Sequence, residues 1–420
     1  MDVLAATSVG PLSERARRAG AAYAGPGSGP GRTPSGPRPI AFTGGLPDPI
    51  LLPTAALAEA TASILGRDAN AALQYGGVQG WDALRDWLAG HCSIIDHGTL
   101  TADYFCITNG SAGALANVCE TFVDTGDIVG VEAPSFPLSI RTIRSITPRI
   151  ESIPVDDDGV VVDAHERTVV GLAGSGQRMR AFYTIPTFHN PTGSTLILER
   201  RHRLLDLCRR YGVLIVEDHA YSELWFGDEP PPSLYSLAEG QGVIKIGTFS
   251  KIMAPGLRAG WCQALPPVIA ALVATRCDMG TSPLLLRALE ELGRTGFIDQ
   301  HIDRLRIAYE HKRDTMLEAL QSHCSGMARW NTPTGGFFIW VTMTEDIDPK
   351  TLAAAAREEG VTFVGGQAFF AEQATGEGHP MPFAPNNSRH LRLAFSNVAE
   401  DEIPEGIGRL GRAMARAAHA

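Results

Sequence analysis

Between residues 104 and 247 short apolar runs alternate with amphipathic helical stretches, and this alternation restricts the fold more than any other feature of the chain. The strand candidates are 104–108, 128–132, 169–172, 179–184, 213–217 and 243–247. Helical patterns lie between them, among them 113–125 and 196–211, the latter with Leu204, Leu205 and Cys208 on one face. Short runs that are apolar throughout are strands buried on both faces. Interleaved with helices, they predict a mainly parallel sheet covered on each side, an α/β architecture. A strand-like start at Ile40 and helical patterns at 54–66 and 81–91 come first. A long helical region, 283–322, then leads to a different pattern: an extended 336–342, a helix at 349–359, strands at 361–364 and 390–395, and a closing helix from Glu402. This second pattern reads as a smaller α+β domain, with the Ile40 segment a candidate to return to it.

In an open α/β sheet ligands bind beyond the carboxyl ends of the strands, so the polar residues there are the ones to weigh. Lys251 follows the 243–247 run and is one of only four lysines in the chain. An arginine can hold an anion, but only a lysine amine can form an imine with an aldehyde. Thr248, Ser250 and Arg258 around it are suited to a phosphate. A cofactor with both groups is pyridoxal 5′-phosphate. Asp218, directly after the 213–217 run, can pair with that cofactor's ring nitrogen, although alone it reads equally as a helix cap. Tyr221 and Asn190 can donate to the ring's phenolic oxygen; the plain alternatives are a half-buried tyrosine and an Asn-Pro turn. Ser111, Ala112 and Gly113 open a helix whose free N–H groups suit a phosphate, against a simple capped helix start. Phe136 is placed to stack on a ring or to serve the core. Arg392 sits inside an apolar strand, where its charge needs a partner such as a substrate carboxylate. Gly44 and Gly45 can bring backbone N–H groups to that carboxylate, and Tyr75 can reach a phosphate. His189 and His219 read as structural, and Arg389 as a surface residue.

The formal charge of −10 argues against a general nucleic-acid binder. Seven scattered cysteines without CxxC spacing indicate reduced thiols, hence a cytoplasmic setting and no metal centre. No signal core is present, and no apolar run reads as transmembrane, so no membrane role is expected. Residues 22–39 are rich in Gly, Pro, Ser and Arg and read as a flexible lead-in.

Together these residues resemble the class I/II aminotransferases, the fold-type I family of pyridoxal-phosphate enzymes. The resemblance is nearest the branch of 2-aminoadipate and kynurenine aminotransferases and MocR-type regulators. It rests on ordered fragments that include Phe42 to Pro49, Leu73 to Gly76, Asn109 to Ser111, Tyr183 to Gly193, Val216 to Tyr221, Gly247 to Arg258, Gly335 to Trp340 and Leu391 to Asn397. It implies a large domain with a mainly parallel seven-stranded sheet plus a smaller α+β domain. The division would be 1–39 as lead-in, 40–68 joining the small domain, 69–300 binding the cofactor and 301–420 forming the small domain. It implies a homodimer with a shared site, Tyr75 and the segment around Thr281 and Ser282 reaching the partner's phosphate. Ser111, Ala112, Gly113, Thr248, Ser250 and Arg258 would hold phosphate within one subunit. The expected reaction is transamination between an L-amino acid and a 2-oxo acid through Lys251. The alternative is another reaction on the same machinery, such as β- or γ-replacement, elimination or C–C bond formation. A regulator would need a DNA-binding helical domain, for which the residues before Ile40 are too few and too rich in Gly and Pro. The chain departs from the family pattern at Ala112 and Gly113, at Phe136, at His219 and at Gly366-Gln367, which alters the pocket wall and leaves the core catalytic groups in place.

Overall fold

The computed structural model describes residues 13–21, 39–371 and 389–419. The expectation of a flexible lead-in over 22–38 therefore lies outside the described residues. Before it, α1 (Glu14–Ala21) is helical and lies against α5, with Arg15 paired to Glu120 at 2.8 Å. The main chain then runs through β1 (Ile40–Ala41), α2 (Thr54–Leu73), α3 (Asp82–Ile95), β2 (Phe105–Thr108), α4 (Gly110–Phe122), β3 (Ile128–Ala133), α5 (Pro137–Ile146), β4 (Ile150–Asp156), β5 (Gly159–Val160) and α6 (Val162–Gly174). It continues with β6 (Met179–Thr184), α7 (Leu198–Tyr211), β7 (Leu214–Asp218), α8 (Leu234–Leu237), β8 (Val243–Thr248), β9 (Gly260–Gln263), α9 (Pro266–Thr275), α10 (Pro283–Arg294) and α11 (Phe297–Cys324). Last come β10 (Ala328–Trp330), β11 (Phe338–Met343), α12 (Pro349–Glu359), β12 (Val361–Thr362), β13 (Val364–Gly365), β14 (His390–Ala394) and α13 (Ile403–Ala418).

The large sheet has the order β2-β9-β8-β7-β6-β3-β4-β5. Strands β4, β3, β6, β7 and β8 are mutually parallel, and β9 enters antiparallel between β8 and β2. Strand β5 is a two-residue hairpin partner of β4, so the seven expected strands become eight with this short edge. Both faces are covered: β3 and β8 are buried along their whole length. Fully buried rings such as Phe105, Phe182 and Phe249 contribute about 1.5–3 kcal/mol each.

Some sequence expectations change here. Residues 169–172 lie inside α6 and not in a strand, because the buried residues Val162, His165 and Val169 recur at helical spacing. The long helical region is two helices, broken at Thr295 and Gly296. Residues Pro49–Leu73 prove long and apolar enough, by length and composition, to match a membrane span. That stretch packs on α10, and its polar end is tied there by Arg67 to Glu291 and Asp68 to Arg287, each at 2.8 Å. Packing on α10 covers only part of the stretch, and Leu65 and Leu73 remain exposed.

A second, antiparallel sheet has the order β10-β11-β14-β13. It packs with α11, α12 and α13, the last of which supplies Ile407, Leu410 and Met414 to the core. Strand β1 pairs in parallel with β12, joining the Ile40 segment to this smaller unit. The chain leaving β1 forms a strap, residues 43–48, anchored to the small domain at its far end. Lys312 pairs with Asp48, the Asp48 N–H donates to Tyr309 Oη at 3.1 Å, and Ser396 Oγ donates to the Leu46 carbonyl at 2.7 Å. This strap crosses the carboxyl edge of the large sheet.

Candidate active site

Five loops leave the large sheet at one edge, because β2, β3, β6, β7 and β8 all point the same way. They carry Asn109, Phe136, Asn190, Asp218 and Lys251 respectively. The strap and the inner face of the small sheet close this edge from the other side.

Lys251 lies three residues beyond the end of β8. Its Nζ donates to the Gly45 carbonyl of the strap at 2.8 Å and stands 5.7 Å from the centre of the Tyr221 ring. Burial, with Arg392 and Arg258 nearby, lowers its pKa from the ordinary 10.5 to about 8, against the pull of Asp218. About a tenth of the amine is therefore neutral and nucleophilic at pH 7, far more than for a lysine in water. Gly45 has no room for a side chain: a Cβ there would come within 2.6 Å of the Phe338 ring. Gly44 is less confined, with only Leu46 near it.

Asp218 ends β7 and is buried. Its Oδ1 accepts from the Ala220 N–H at 3.1 Å and its Oδ2 from Tyr183 Oη at 2.6 Å. Burial raises its pKa, and these two hydrogen bonds work in the opposite direction. Tyr221 stands edge-on to Phe337 and Phe338, with both ring separations 5.4 Å, and its hydroxyl accepts a long hydrogen bond of 3.5 Å from Asn190 Nδ2. Asn190 Oδ1 accepts from Arg392 Nη1 at 3.0 Å. One chain of contacts thus links Lys251, Tyr221, Asn190 and Arg392.

Arg392, in β14, donates its Nη2 to the Thr43 carbonyl at 2.6 Å. Its guanidinium lies 4.4 Å from the Phe338 ring and 4.9 Å from the Phe369 ring. Burial lowers its pKa to about 10, and its Nε is buried without a hydrogen-bond partner among the described residues. A buried donor on a charged group, left open in an aromatic slot, is suited to a carboxylate.

Arg258 takes the left-handed conformation, φ 51°, which is uncommon for a residue with a side chain. It lays its guanidinium on the start of α4, with hydrogen bonds to the carbonyls of Pro255 at 3.2 Å and Asn109 at 3.3 Å. A Cβ at Gly110, whose φ is 76°, would approach Arg258 Nη2 to 2.8 Å, so glycine is needed there. Asn109 does not cap α4; its side chain bonds Asp278 and Thr281 instead. The first-turn N–H groups at Ser111, Ala112 and Gly113 are therefore free of a side-chain cap beside a cation that no described carboxylate pairs. The Thr248 and Ser250 hydroxyls meet at 2.9 Å next to them. These are the features of a phosphate cradle.

Phe136 is half-buried at the start of α5. Tyr75 is 84 % exposed and is not brought to the site of its own chain. Thr281 reaches the α4 start of its own chain through Asn109 Oδ1 at 3.2 Å. His189 lies 3.1 Å from Glu132 and His219 2.9 Å from Glu217, both buried ion-pair positions consistent with structural roles. Arg389 pairs with Asp346 at 3.5 Å away from the site. The sequence did not point to Tyr183 and Ser139, which support Asp218, or to Phe338 and Phe369, which flank Arg392. Tyr183 stood in a quoted fragment without a role.

These residues offer a partner to each group of pyridoxal phosphate. A buried amine of lowered pKa, a buried carboxylate, an unpaired arginine at an uncapped helix start and an open arginine donor match its aldehyde, ring nitrogen, phosphate and bound substrate. The residues fit.

The family model described as aminotransferase class I and II matches residues 46–410. An aromatic-amino-acid aminotransferase of Thermococcus litoralis is 35% identical over 381 residues, 89% of this chain and 88% of that protein. A 2-aminoadipate transaminase of Thermus thermophilus is 36% identical over 380 residues, 89% of this chain and 90% of that protein. The solved α-aminoadipate aminotransferase of Thermus thermophilus, complexed with N-(5′-phosphopyridoxyl)-L-leucine, superposes with a TM-score of 0.81 at 35% identity, covering 91% of this chain and 93% of that one.

Proposed function

The chain belongs to the class I and II aminotransferases, and from that membership we propose which of its residues perform the reaction. It is a pyridoxal-phosphate enzyme that transfers an amino group between an amino acid and a 2-oxo acid. The observation that carries the assignment of residues is the buried Lys251 amine, shifted to about 8 and set between Asp218 and Arg392.

When bound, the cofactor supplies an aldehyde that condenses with amines and a ring that withdraws electrons from the substrate α-carbon. Arg258, the Thr248 and Ser250 hydroxyls and the α4 N–H groups from Ser111 to Gly113 hold its phosphate. Asp218 faces its ring nitrogen, Asn190 and Tyr221 its phenolic oxygen, and Phe136 a ring face. Arg392 takes the substrate α-carboxylate on its open Nε edge, with the strap at Gly44 and Gly45 closing over it. Lys251 Nζ, neutral once released, takes the proton from the substrate α-carbon and returns it on the other side of the transfer. Burial of this amine excludes the water that would otherwise hold it as ammonium.

Tyr75 is too exposed to serve its own site, and α2 presents Leu65 and Leu73 outward. Both features support a homodimer in which Tyr75 completes the partner's phosphate cradle. We infer the residue division given by the resemblance, with 69–300 binding the cofactor and 301–420 forming the small domain, and a cytoplasmic setting. Among the described residues, the cations that bear on Lys251 are Arg392 and Arg258. With both engaged, an aromatic or other uncharged donor side chain fits better than one with a second carboxylate.

The test is absorbance of the cofactor-loaded protein, wild type and Lys251→Ala, with a panel of aromatic and 2-aminoadipate donors and 2-oxoglutarate. Wild type should show the bound-cofactor band and cycle to the amine form of the cofactor with aromatic donors. Lys251→Ala should lose both. An unchanged spectrum in Lys251→Ala would sink the assignment.

A further inference from the structure

Asp218 is supported from behind by two buried hydroxyls in file, one from each of two other elements. Tyr183, in β6, donates its Oη–H to Asp218 Oδ2 at 2.6 Å. Tyr183 Oη in turn accepts from Ser139 Oγ, in α5, at 2.8 Å. All three residues are buried, Tyr183 among Val131, Ile185 and Val216 of the sheet core. We propose that Ser139 and Tyr183 form a relay that sets where the proton rests between Asp218 and the cofactor's ring nitrogen, which makes Tyr183 a positioning residue of the transfer. The inference rests on the placement of Asp218 at that nitrogen.

A phenol that accepts one hydrogen bond is a stronger donor in the next, because successive bonds polarise one another at low dielectric. Burial, with the Asp218 charge beside it, holds the Tyr183 phenol far above its ordinary pKa, so it stays a donor. Its hydrogen bond stabilises the carboxylate form of Asp218 against the burial that favours the neutral acid. A carboxylate stabilised in this way is less basic, and the shared proton stays on the ring nitrogen. The ring then keeps the positive charge that withdraws electrons from the substrate. Without the phenol, Asp218 becomes more basic and draws that proton toward Oδ2. The proton only changes its place between nitrogen and oxygen, and none is gained or lost.

The experiment uses holoenzyme reconstituted with pyridoxal phosphate isotopically labelled at the ring nitrogen, whose NMR shift reports protonation. Asp218→Asn marks the unprotonated limit. Tyr183→Phe removes only the hydroxyl and should move the signal toward that limit, with kcat lowered about tenfold and KM little changed, as for one hydrogen bond to a charged group. Ser139→Ala should move it in the same direction by less. A Tyr183→Phe signal at the wild-type position, while Asp218→Asn moves, overturns the relay alone. An unmoved signal in Asp218→Asn overturns the placement of Asp218 and the relay with it. If Tyr183→Phe does not fold, Ser139→Ala decides: a wild-type signal there overturns the proposal.

Discussion

Lys251 owes its proposed reactivity to its surroundings, since a lysine in water is protonated up to about pH 10.4. Burial removes water from the ammonium, and Arg392 and Arg258 repel it, which leaves a pKa of about 8. The neutral fraction of the amine grows as pH rises through that value, so capture of pyridoxal phosphate by the apo protein should accelerate with a midpoint near 8. Arg392→Leu removes one repelling cation, favours the ammonium and should move the midpoint upward. Stopped-flow absorbance across the pH range measures both. A midpoint at the ordinary lysine value, or one indifferent to Arg392→Leu, would show that the surroundings do not tune the amine. At this scale the sequence was informative wherever a polar residue adjoined an apolar run, as with Asp218, Asn190, Lys251 and Arg392. Tyr183 and Ser139 were hidden because a tyrosine inside a buried strand looks like core, and a serine in a helix follows no pattern. The Phe338 and Phe369 slot was hidden because it forms only where β11 meets the turn before Phe370.

Among the elements, α3 is secured by one histidine. His91 stacks on Trp87 and places Nε2 2.8 Å from Glu223 and Nδ1 3.1 Å from Asp299 of α11. Burial favours the neutral ring, but the two carboxylates outweigh it and raise the pKa from 6.5 to about 10. The folded value lies above the unfolded one, so this stabilisation is fully present below about pH 6.5 and is lost as pH rises through about 10. On the acid side Asp299 is held low by its bond to His91, and Glu223 is also held low by His91 against its own burial. Their shares are present above the unfolded carboxylate pKa and fade as pH falls through their lowered values. His91→Gln should cost about 3 kcal/mol near pH 6, as expected for breaking a buried pair. The gap to wild type should close toward pH 10, and thermal melts at the two pH values measure it. A gap of the same size at both would mean that packing, not charge, secures the helix. Element positions were readable where pattern and propensity agreed, as in β6 and α12. They were not where β-branched residues sit in a helix, as Val169 and Val170 do in α6. Strand β9 also escaped, because Gly260 to Gln263 has little apolar pattern of its own and is fixed by its neighbours β2 and β8.

At the scale of the whole molecule, the proposed second subunit places a geometric demand on the site. The α/β layering followed from the alternation of strands and helices, because a parallel sheet buried on both faces has few other solutions. A residue whose purpose lies in another copy is hard to read from the pattern of a single chain, and the role proposed for Tyr75 is of that kind. It stands 84 % exposed beyond the end of α2. If it completes the partner's phosphate cradle, Tyr75→Ala and Lys251→Ala damage different halves of one site. In a mixed dimer, the site built on the intact Lys251 receives the intact Tyr75 from the other subunit. The opposite site carries both defects. Dimers re-formed from equal amounts of the two variants are half mixed, and each mixed dimer holds one complete site, so activity should return to about a quarter of wild type. Each variant alone should stay well below that level. Activity of the mixture no greater than the mean of the two parents, with subunit exchange confirmed by mass spectrometry, would place Tyr75 outside the partner's site.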